Sequence, residues 1–192
     1  MFSERIFLFC LALKSYLFKC FSVSSKIFNK PVFLIVGSDT GVGKTIFLCL
    51  LTRYLIDMEF CVSLAKPFCS GSRDDIELLE AAYNRGENRS VGNYWYHDEP
   101  ISPAAFEMRS RTKIDIKNII IKLKQQIDKN NDILLMEGVG GLLAPITRNH
   151  SVASIAQSLN SNLIIVAQNR VGVVNHILLT VEAALRRGLS IS

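Results

Sequence analysis

The 192-residue sequence lacks paired cysteines, a long N-terminal apolar segment, internal repeats and low-complexity tracts. Its five cysteines include no CxxC spacing, so neither a zinc site nor a disulfide framework is indicated. The apolar run at residues 6–13 has eight residues, whereas a membrane span needs about 20. These absences suit a protein of a reducing compartment, and we predict a cytoplasmic location.

Net positive charge is small outside the first 30 residues. The formal net charge is +5, but residues 1–30 hold five basic residues and one acidic residue, which leaves residues 31–192 nearly neutral. A nucleic-acid-binding protein would carry a basic face on its folded part, so we predict no nucleic-acid partner. Residues 1–30 are predicted to be an extension outside the fold, and a targeting role or contact with a membrane surface is left open.

Four continuous apolar runs have the length of buried strands: VFLIV at 32–36, CVSLA at 61–65, ILLM at 133–136 and LIIVA at 163–167. Segments with helical spacing alternate with them, at 46–58, 75–84, 116–127, 152–159 and 175–187. This order predicts one α/β domain at 31–192, a mostly parallel sheet with helices on both faces. Gly188 suits a left-handed helix cap, and residues 188–192 resemble the opening of a further strand. We therefore expect one or more C-terminal strands of the sheet to be missing from this chain.

A glycine-rich segment, GSDTGVGKT at 37–45, joins the first predicted strand to the first predicted helix. This is the setting of a phosphate-binding loop, in which backbone amides and a helix N-terminus attract phosphate. Lys44 can reach the outer phosphates, and the Thr45 hydroxyl can bind Mg²⁺. Five residues separate Gly37 from Gly43, where the standard loop has four. The loop indicates a nucleotide-binding protein but no particular reaction.

Polar features also follow the other predicted strands, whose carboxyl ends share one edge of the sheet. Lys66 follows the second strand, Glu137 the third, and residues 170–175 (RVGVVN) the fourth. Glu137 is well placed for Mg²⁺. The amides of residues 170–175 can receive a carboxylate, with helix capping by Asn175 as the alternative. Asp75 begins a helix and is either a second Mg²⁺ carboxylate or a helix cap.

Together these motifs resemble those of the dethiobiotin synthetase family. The stretches that carry the resemblance follow the family's order: GSDTGVGKT (37–45), KPFCSG (66–71), DDIELL (74–79), EPISP (99–103), EGVGGLLAP (137–145) and RVGVVNH (170–176). The resemblance implies a P-loop NTPase-type fold, a homodimer, and ATP as co-substrate with Mg²⁺ as cofactor. It also implies a cyclo-ligase of biotin biosynthesis. Such an enzyme joins 7,8-diaminononanoate to CO₂ (from bicarbonate) and closes the ring, giving dethiobiotin, ADP and phosphate.

The resemblance also implies roles for individual residues. Lys66 and Lys44 would be catalytic, and Thr45, Asp75 and Glu137 would hold Mg²⁺. The implied nucleotide-binding residues are Gly41, Val42, Gly43, Lys44, Thr45, Ile46, Asp75, Glu137, Gly138, Val139 and Gly140. The implied substrate-binding residues are Thr40, Ser70, Pro100, Ser102, Val171, Gly172, Val173 and Asn175. Those at 171–175 would act across a homodimer interface.

The residues leave other functions open. A partitioning-type P-loop ATPase switch would carry a second lysine five positions before the loop lysine, where this chain has Asp39. A synthetase that amidates its substrate would also need a glutaminase domain, for which the chain has no room. Dethiobiotin synthetases continue past this chain's last residue with segments that hold the nucleotide base, so an inactive truncated synthetase is a further alternative.

Overall fold

The computed structural model describes residues 30–84, 89–128 and 131–192, so the predicted extension lies outside the described residues except for Lys30. The strands are β1 (Val32–Gly37), β2 (Val62–Ala65), β3 (Phe68–Ser70), β4 (Trp95–His97), β5 (Ile133–Gly141) and β6 (Asn162–Val166). The helices are α1 (Lys44–Asp57), α2 (Asp74–Tyr83), α3 (Pro103–Ser110), α4 (Ile116–Asp128), α5 (Val152–Ser158) and α6 (Val173–Leu185).

Four strands form a parallel sheet in the order β2-β5-β1-β6. Successive residues of a strand point to opposite faces, so Leu34 and Met136 join one core cluster while Ile35 and Leu135 join the other. A sheet that is buried on both faces needs no polar alternation, which is why its strands are continuous apolar runs. The predicted α/β fold with a parallel sheet is confirmed.

Helices cover both faces of this sheet. α1 packs Leu48 and Leu55 against one face, where α2 adds Leu79. α4 and α5 add Leu123 and Ile155 on the other face. Within the described ranges, none of the helices has the length and apolarity that a membrane crossing requires. The covered sheet exposes the carboxyl ends of its strands at one edge, which is where ligands bind in open α/β sheets.

β3 and β4 form a second, two-stranded parallel sheet in which Ser70 pairs with His97. The sequence pattern predicts neither of these strands, nor α3. Each strand has three residues, which is too few to show a periodicity. Because β3 begins two residues after Lys66, this small sheet builds one side of the candidate site.

Residues 188–192 begin to extend the large sheet beyond β6. Gly188 adopts φ +67° after α6, as its predicted left-handed cap requires. The Leu163 amide donates to the Ser190 carbonyl at 2.8 Å, and the Leu163 carbonyl accepts from the Ser192 amide at 2.9 Å. Leu163 and Ile191 thereby form a parallel bridge, so the predicted strand opening is confirmed.

Candidate active site

The loop between β1 and α1 has the backbone of an anion site. Gly41 (φ +71°) and Gly43 (φ +93°) lie in the left-handed region, which glycine adopts without strain. α1 begins at Lys44 with Gly43 as its N-cap, and no described side chain hydrogen-bonds to this cap. The first amides of a helix have no partner within the helix, and they carry its partial positive charge. A phosphate group is the ligand that suits this geometry.

Gly37 opens the loop and allows a close approach of two backbone segments. A Cβ atom at this position would lie 2.3 Å from the carbonyl oxygen of Asp39. The Thr40 and Ile46 side chains are exposed, and Val42 is half-buried. These residues can contact a ligand in the loop through their backbone amides.

Lys44 is buried although it carries a charge, with 7% of its surface exposed. Burial lowers the pKa of Lys44, an effect that the charge of Glu137 opposes and the charge of Lys66 reinforces. The lysine also stands at the positive end of α1, which further disfavours its charged form. The loop thus holds a desolvated cation that an anionic ligand would stabilise.

Four polar side chains meet beside this loop, and we call them the cation cluster: Thr45, Lys66, Asp75 and Glu137. Lys66 Nζ donates to Glu137 Oε1 at 2.8 Å and also to Asp75 Oδ2. Thr45 Oγ1 lies 3.0 Å from Glu137 Oε1 and 3.1 Å from Asp75 Oδ1. The structure therefore brings together four residues that the sequence points to, from α1, the end of β2, α2 and β5.

Burial and ion pairing together set the charges of the cation cluster. Glu137 is 2% exposed, and burial raises the pKa of its carboxyl while the Lys66 charge opposes this shift. Burial alone would lower the pKa of Lys66, but the Glu137 charge and the hydrogen bonds to Asp75 and Glu137 raise it overall. For Asp75, burial would raise the pKa, but the Lys66 hydrogen bond and charge lower it overall. Lys66 is therefore held protonated between two carboxylates.

The oxygen atoms of the cation cluster fit a magnesium ion. Mg²⁺ prefers oxygen ligands and is usually held by one or two carboxylates together with substrate phosphates. Glu137 Oε2 is buried and has no hydrogen-bond partner among the described residues, so this oxygen can accept a ligand. The described ranges contain no group of three or more His, Cys, Asp or Glu side chains that could hold a metal. Hydroxyl, water or phosphate oxygens would therefore complete a site built on Asp75 and Glu137.

β5 continues through Glu137 to Gly141, so the sequence-based prediction that the strand ends before Glu137 is wrong. Glu137 pairs with Ile35, and the register with β1 then shifts before Gly141 pairs with Gly37. Glycines have low strand propensity, but here pairing with β1 at Glu137 and again at Gly141 keeps the segment in the strand. The carboxylate of Glu137 consequently projects from a strand that is fixed on both sides.

The glycines that follow Glu137 have different structural roles. Gly138 is buried, and a Cβ atom there would lie 3.1 Å from Cγ1 of Val152, so it allows α5 to pack closely. Gly140 has φ +58°, which favours glycine. Val139 between them is half-buried. The predicted nucleotide contacts of these three residues remain predictions.

The predicted substrate residues near β3 lie side by side. Ser70 ends β3, and a Cβ atom on the next residue, Gly71, would lie 3.1 Å from Cβ of Pro100. The Ser102 hydroxyl accepts a hydrogen bond from the Ala105 amide at 3.2 Å and so caps α3. Ser70 and Pro100 are thus available on one side of the site, while the Ser102 hydroxyl already has a partner.

The loop at 170–175 enters α6 through a glycine. Gly172 has φ +85° and is the N-cap, and α6 begins at Val173. Asn175 therefore lies inside the first turn, and the alternative that it caps the helix is wrong. The Val173 amide donates to the Arg170 carbonyl at 3.1 Å, so this predicted substrate amide already has a partner. Val171 is fully exposed at the tip of the loop.

An ion pair joins this loop to the phosphate loop. Arg170 Nη2 donates to Asp39 Oδ2 at 2.9 Å, and Asp39 Oδ1 accepts the Thr40 amide at 2.8 Å. From the sequence, Asp39 stands out only as the position where partitioning-type ATPases carry lysine. Its observed partner lies after β6, and the only sequence signal for the contact is that both residues follow strands of one edge.

Two further residues that the sequence analysis misses hold the segment after β2. Asn93 Nδ2 donates to the Lys66 carbonyl at 2.8 Å. Tyr96 Oη donates to the Gly71 carbonyl at 3.0 Å. Bonds from a side chain to a distant backbone carbonyl leave no periodic pattern in a sequence, so pattern-based reasoning could not find them.

Comparisons with known proteins agree with this geometry. A family model described as "AAA domain" matches residues 32–192. The ATP-dependent dethiobiotin synthetase BioD of Halalkalibacterium halodurans is 32% identical over 169 residues, which cover 83% of this chain and 69% of the relative. The chain belongs to the dethiobiotin synthetase family. The ATP-dependent dethiobiotin synthetase BioD of Nitrosospira multiformis is likewise 32% identical over 155 residues, covering 79% of this chain and 68% of that one.

The fold of this dethiobiotin synthetase family member is shared with other P-loop proteins. The signal recognition particle receptor FtsY from Elizabethkingia anophelis superposes with a TM-score of 0.55 at 14% identity, covering 82% of this chain and 48% of that chain. This likeness concerns the P-loop NTPase-type α/β fold alone. The fold alone does not indicate a function. The function is indicated by membership of the dethiobiotin synthetase family and by the residues of the cation cluster.

Proposed function

We propose that this protein is an ATP-dependent cyclo-ligase of biotin biosynthesis. It would convert 7,8-diaminononanoate and CO₂ to dethiobiotin, with ADP and phosphate as the other products. The observation that carries the proposal is the Lys66 ammonium, held by Asp75 and Glu137 beside a phosphate loop. The names of the family relatives support it.

The phosphate loop would bind the triphosphate of ATP. The amides at 41–46 and the Lys44 ammonium surround the space where phosphate oxygens would lie. A polyanion there would stabilise the charged form of Lys44, whose pKa burial lowers. Thr45, Asp75 and Glu137 would hold Mg²⁺, which supplies positive charge to the phosphates when it is bound.

The proposed chemistry joins one carbon between two neighbouring amines. The first amine forms a C–N bond to CO₂ and loses a proton, giving a carbamate. A carbamate oxygen forms a bond to the γ-phosphorus, and the bond to ADP breaks. The second amine then forms a bond to the carbamate carbon and loses a proton, phosphate leaves with its electron pair, and the cyclic urea is complete.

Lys66 would assist the attack of the carbamate on ATP. Two anions approach each other in this step, so a positioned cation lowers its barrier. Lys66 is buried and its pKa is raised, so it is suited to supply charge rather than to accept a proton. It follows β2 rather than β1 and lies four residues before Ser70, on the side where Ser70 and Pro100 would contact the diamine.

A second copy of the chain would complete the substrate site. The substrate carboxylate would meet backbone amides at 171–175 of the other copy other than the already bonded Val173 amide, with Gly172 giving the loop its conformation. The homodimer is supported by large apolar side chains that α6 and its loop expose, namely Val171, Val174, Leu178, Leu179 and Leu185. An exposed apolar patch of this kind is typical of an interface.

The decisive experiment is phosphate release from the purified chain with ATP, Mg²⁺ and ¹³C-bicarbonate, with and without 7,8-diaminononanoate. The proposal predicts release that depends on the diamine, together with a product that carries one ¹³C atom in a cyclic urea. ATP turnover that ignores the diamine would support the partitioning-type ATPase instead. ATP binding without any turnover would support the inactive synthetase.

A further inference from the structure

Residues 92–97, which we call the clamp segment, contact both ends of the stretch from Lys66 to Gly71. This stretch carries Lys66 and Ser70, the two residues proposed to face the substrate. Its backbone leaves the large sheet after β2 and enters the small sheet at β3. The clamp segment holds this stretch in place at both of its ends.

The first contact is at Lys66. The Lys66 amide donates to the Gly92 carbonyl at 3.0 Å, and the Gly92 amide donates to the Leu64 carbonyl at 2.9 Å. The Asn93 side chain then donates to the Lys66 carbonyl at 2.8 Å. Both backbone polar groups of Lys66 are therefore bonded to two adjacent residues of the clamp segment.

The second contact is at Gly71, directly after Ser70. The Gly71 amide donates to the His97 carbonyl at 2.9 Å, and the Gly71 carbonyl accepts from the Tyr96 hydroxyl at 3.0 Å. Gly71 has φ +78° and lies against Pro100, so its conformation has little freedom. Both backbone groups of this residue, too, are bonded to two adjacent residues of the clamp segment.

We propose that Asn93 and Tyr96 are positioning residues, Asn93 for the Lys66 ammonium and Tyr96 for Ser70. The carboxylates of the cation cluster hold the tip of the Lys66 side chain, and Asn93 holds its backbone. Tyr96 holds the carbonyl of Gly71, the residue that follows Ser70. The assignment rests on the proposed function, because it takes Lys66 as the cation of the carbamate step and Ser70 as a contact of the diamine.

The two residues have separable effects. A displaced Lys66 stabilises the charge of the transition state less well. Loss of the Asn93 hydrogen bond therefore lowers kcat. A displaced Ser70 weakens binding of the diamine in both the ground state and the transition state. Loss of the Tyr96 hydrogen bond therefore raises the KM for diamine. Neither change touches the phosphate loop, so the KM for ATP stays the same.

The test compares Asn93→Leu and Tyr96→Phe with wild-type protein. Asn93→Leu is expected to lower kcat for diamine-dependent phosphate release by about tenfold, because small misplacements of a reacting group are costly. Tyr96→Phe is expected to raise the KM for diamine about fivefold, the size of one neutral hydrogen bond, with kcat within about twofold of wild type. Both variants are expected to show faster amide hydrogen exchange in peptides from residues 64–72.

Two matched variants remove the same kind of bond elsewhere. Tyr83 Oη donates to the Val62 carbonyl at 2.7 Å, and Asn131 Nδ2 donates to the Gln126 carbonyl at 3.1 Å. Tyr83→Phe and Asn131→Leu are expected to leave the kinetics of the diamine and the exchange of residues 64–72 unchanged, whatever they cost in stability. Asp98→Asn is a third control, because Asp98 also interacts with the Tyr96 hydroxyl.

The outcomes separate the positioning roles from the reaction itself. The proposal is overturned if the clamp variants match their controls, if Asp98→Asn reproduces Tyr96→Phe, or if both clamp variants change the KM for ATP alone. If wild-type protein shows no diamine-dependent release, the proposed function fails. In that case amide hydrogen exchange of residues 64–72 still tests the structural part of the proposal. Faster exchange in Asn93→Leu and Tyr96→Phe, but not in their controls, supports the role of the clamp segment, and equal exchange rejects it.

Discussion

Asp39 and Arg170 stand 131 positions apart in the sequence, and their side chains form an ion pair across the edge of the sheet. One residue belongs to the loop proposed for ATP and the other to the loop proposed for the substrate carboxylate. A carboxylate at position 39 cannot neutralise phosphate, as the second lysine of a partitioning-type ATPase would. The pair is therefore a link between two ligand loops rather than part of a phosphate site.

The link is expected to add little to stability. Both side chains are about half exposed, and water screens such pairs. In a double-mutant cycle of Asp39→Asn and Arg170→Gln, urea unfolding is expected to give a coupling of about 1 kcal/mol or less, and less still in high salt. A coupling well above this value would show that the pair is desolvated in solution, contrary to the structure.

Lys44→Met is expected to abolish nucleotide binding without unfolding the protein. The substitution removes a buried charge whose pKa burial lowers, and it keeps most of the side-chain volume. The midpoint of thermal unfolding without nucleotide is therefore expected to stay the same or to rise, while ATP no longer raises it. An unfolding midpoint that falls strongly, or ATP stabilisation equal to that of wild type, would contradict this account.

Lys66→Met is expected to destabilise the protein as well as to inactivate it. Removing one partner of a buried ion pair typically costs about 3–5 kcal/mol, because the other charge is left uncompensated. The uncompensated charge here is Glu137, so Glu137→Gln in the same chain should recover part of the loss. Denaturant unfolding of the two single variants and the double variant measures this, and a double variant less stable than Lys66→Met would show that Glu137 is not the stranded charge.

The same lysine has a separate kinetic prediction. Loss of one positioned charge donor typically lowers kcat by about 10²–10³. Lys66→Gln is therefore expected to show this loss in diamine-dependent phosphate release while ATP affinity stays near that of wild type. Wild-type turnover in this variant would reject its role in the carbamate step.

Asp75→Asn is expected to raise the Mg²⁺ concentration needed for half-maximal ATP binding by about tenfold, which is about 1.4 kcal/mol. The amide offers a weaker oxygen ligand than the carboxylate. Asp74→Asn is the matched control, since Asp74 is the exposed neighbour in the first turn of α2. Titrations of Mg²⁺ at fixed ATP compare the two variants. An equal rise of the half-maximal Mg²⁺ concentration in both would indicate a general charge effect instead of ligation by Asp75.

Gly37→Ala is expected to disrupt the phosphate loop, because its Cβ would overlap the Asp39 carbonyl. Gly188→Ala is the contrasting variant, since a Cβ at Gly188 meets open space and only its φ of +67° resists alanine. We expect a cost of about 1–2 kcal/mol for Gly188→Ala and full retention of ATP binding. Gly37→Ala should lose ATP binding in the same titration, and retained binding would show that the loop can move aside.

Much of the fold follows from local pattern. The four apolar runs correspond to β1, β2, β5 and β6, because a strand buried on both faces must be apolar throughout. The meeting of Lys66 and Glu137 follows from one topological rule, that the carboxyl ends of parallel strands share an edge. Asp75 joins them from the first turn of α2. These inferences need only short segments of sequence and the order in which they occur.

The rest depends on tertiary contacts. The strand character of Glu137 comes from its pairing with Ile35, and a run of glycines gives no local sign of this. The start of α6 at Val173, ahead of Asn175, comes from the left-handed Gly172. β3 and β4 exist because they pair with each other, and neither is long enough to be recognised alone.

The charged side chains at the edge of the sheet also have a consequence for how a ligand arrives. Lys44 and Lys66 balance Asp75 and Glu137, so this pocket is electrically neutral before anything binds. A neutral pocket exerts little long-range pull on a polyphosphate, and the association rate should change only weakly with ionic strength. The incoming nucleotide must then bring part of its own counter-charge, because Lys66 is already paired with Asp75 and Glu137.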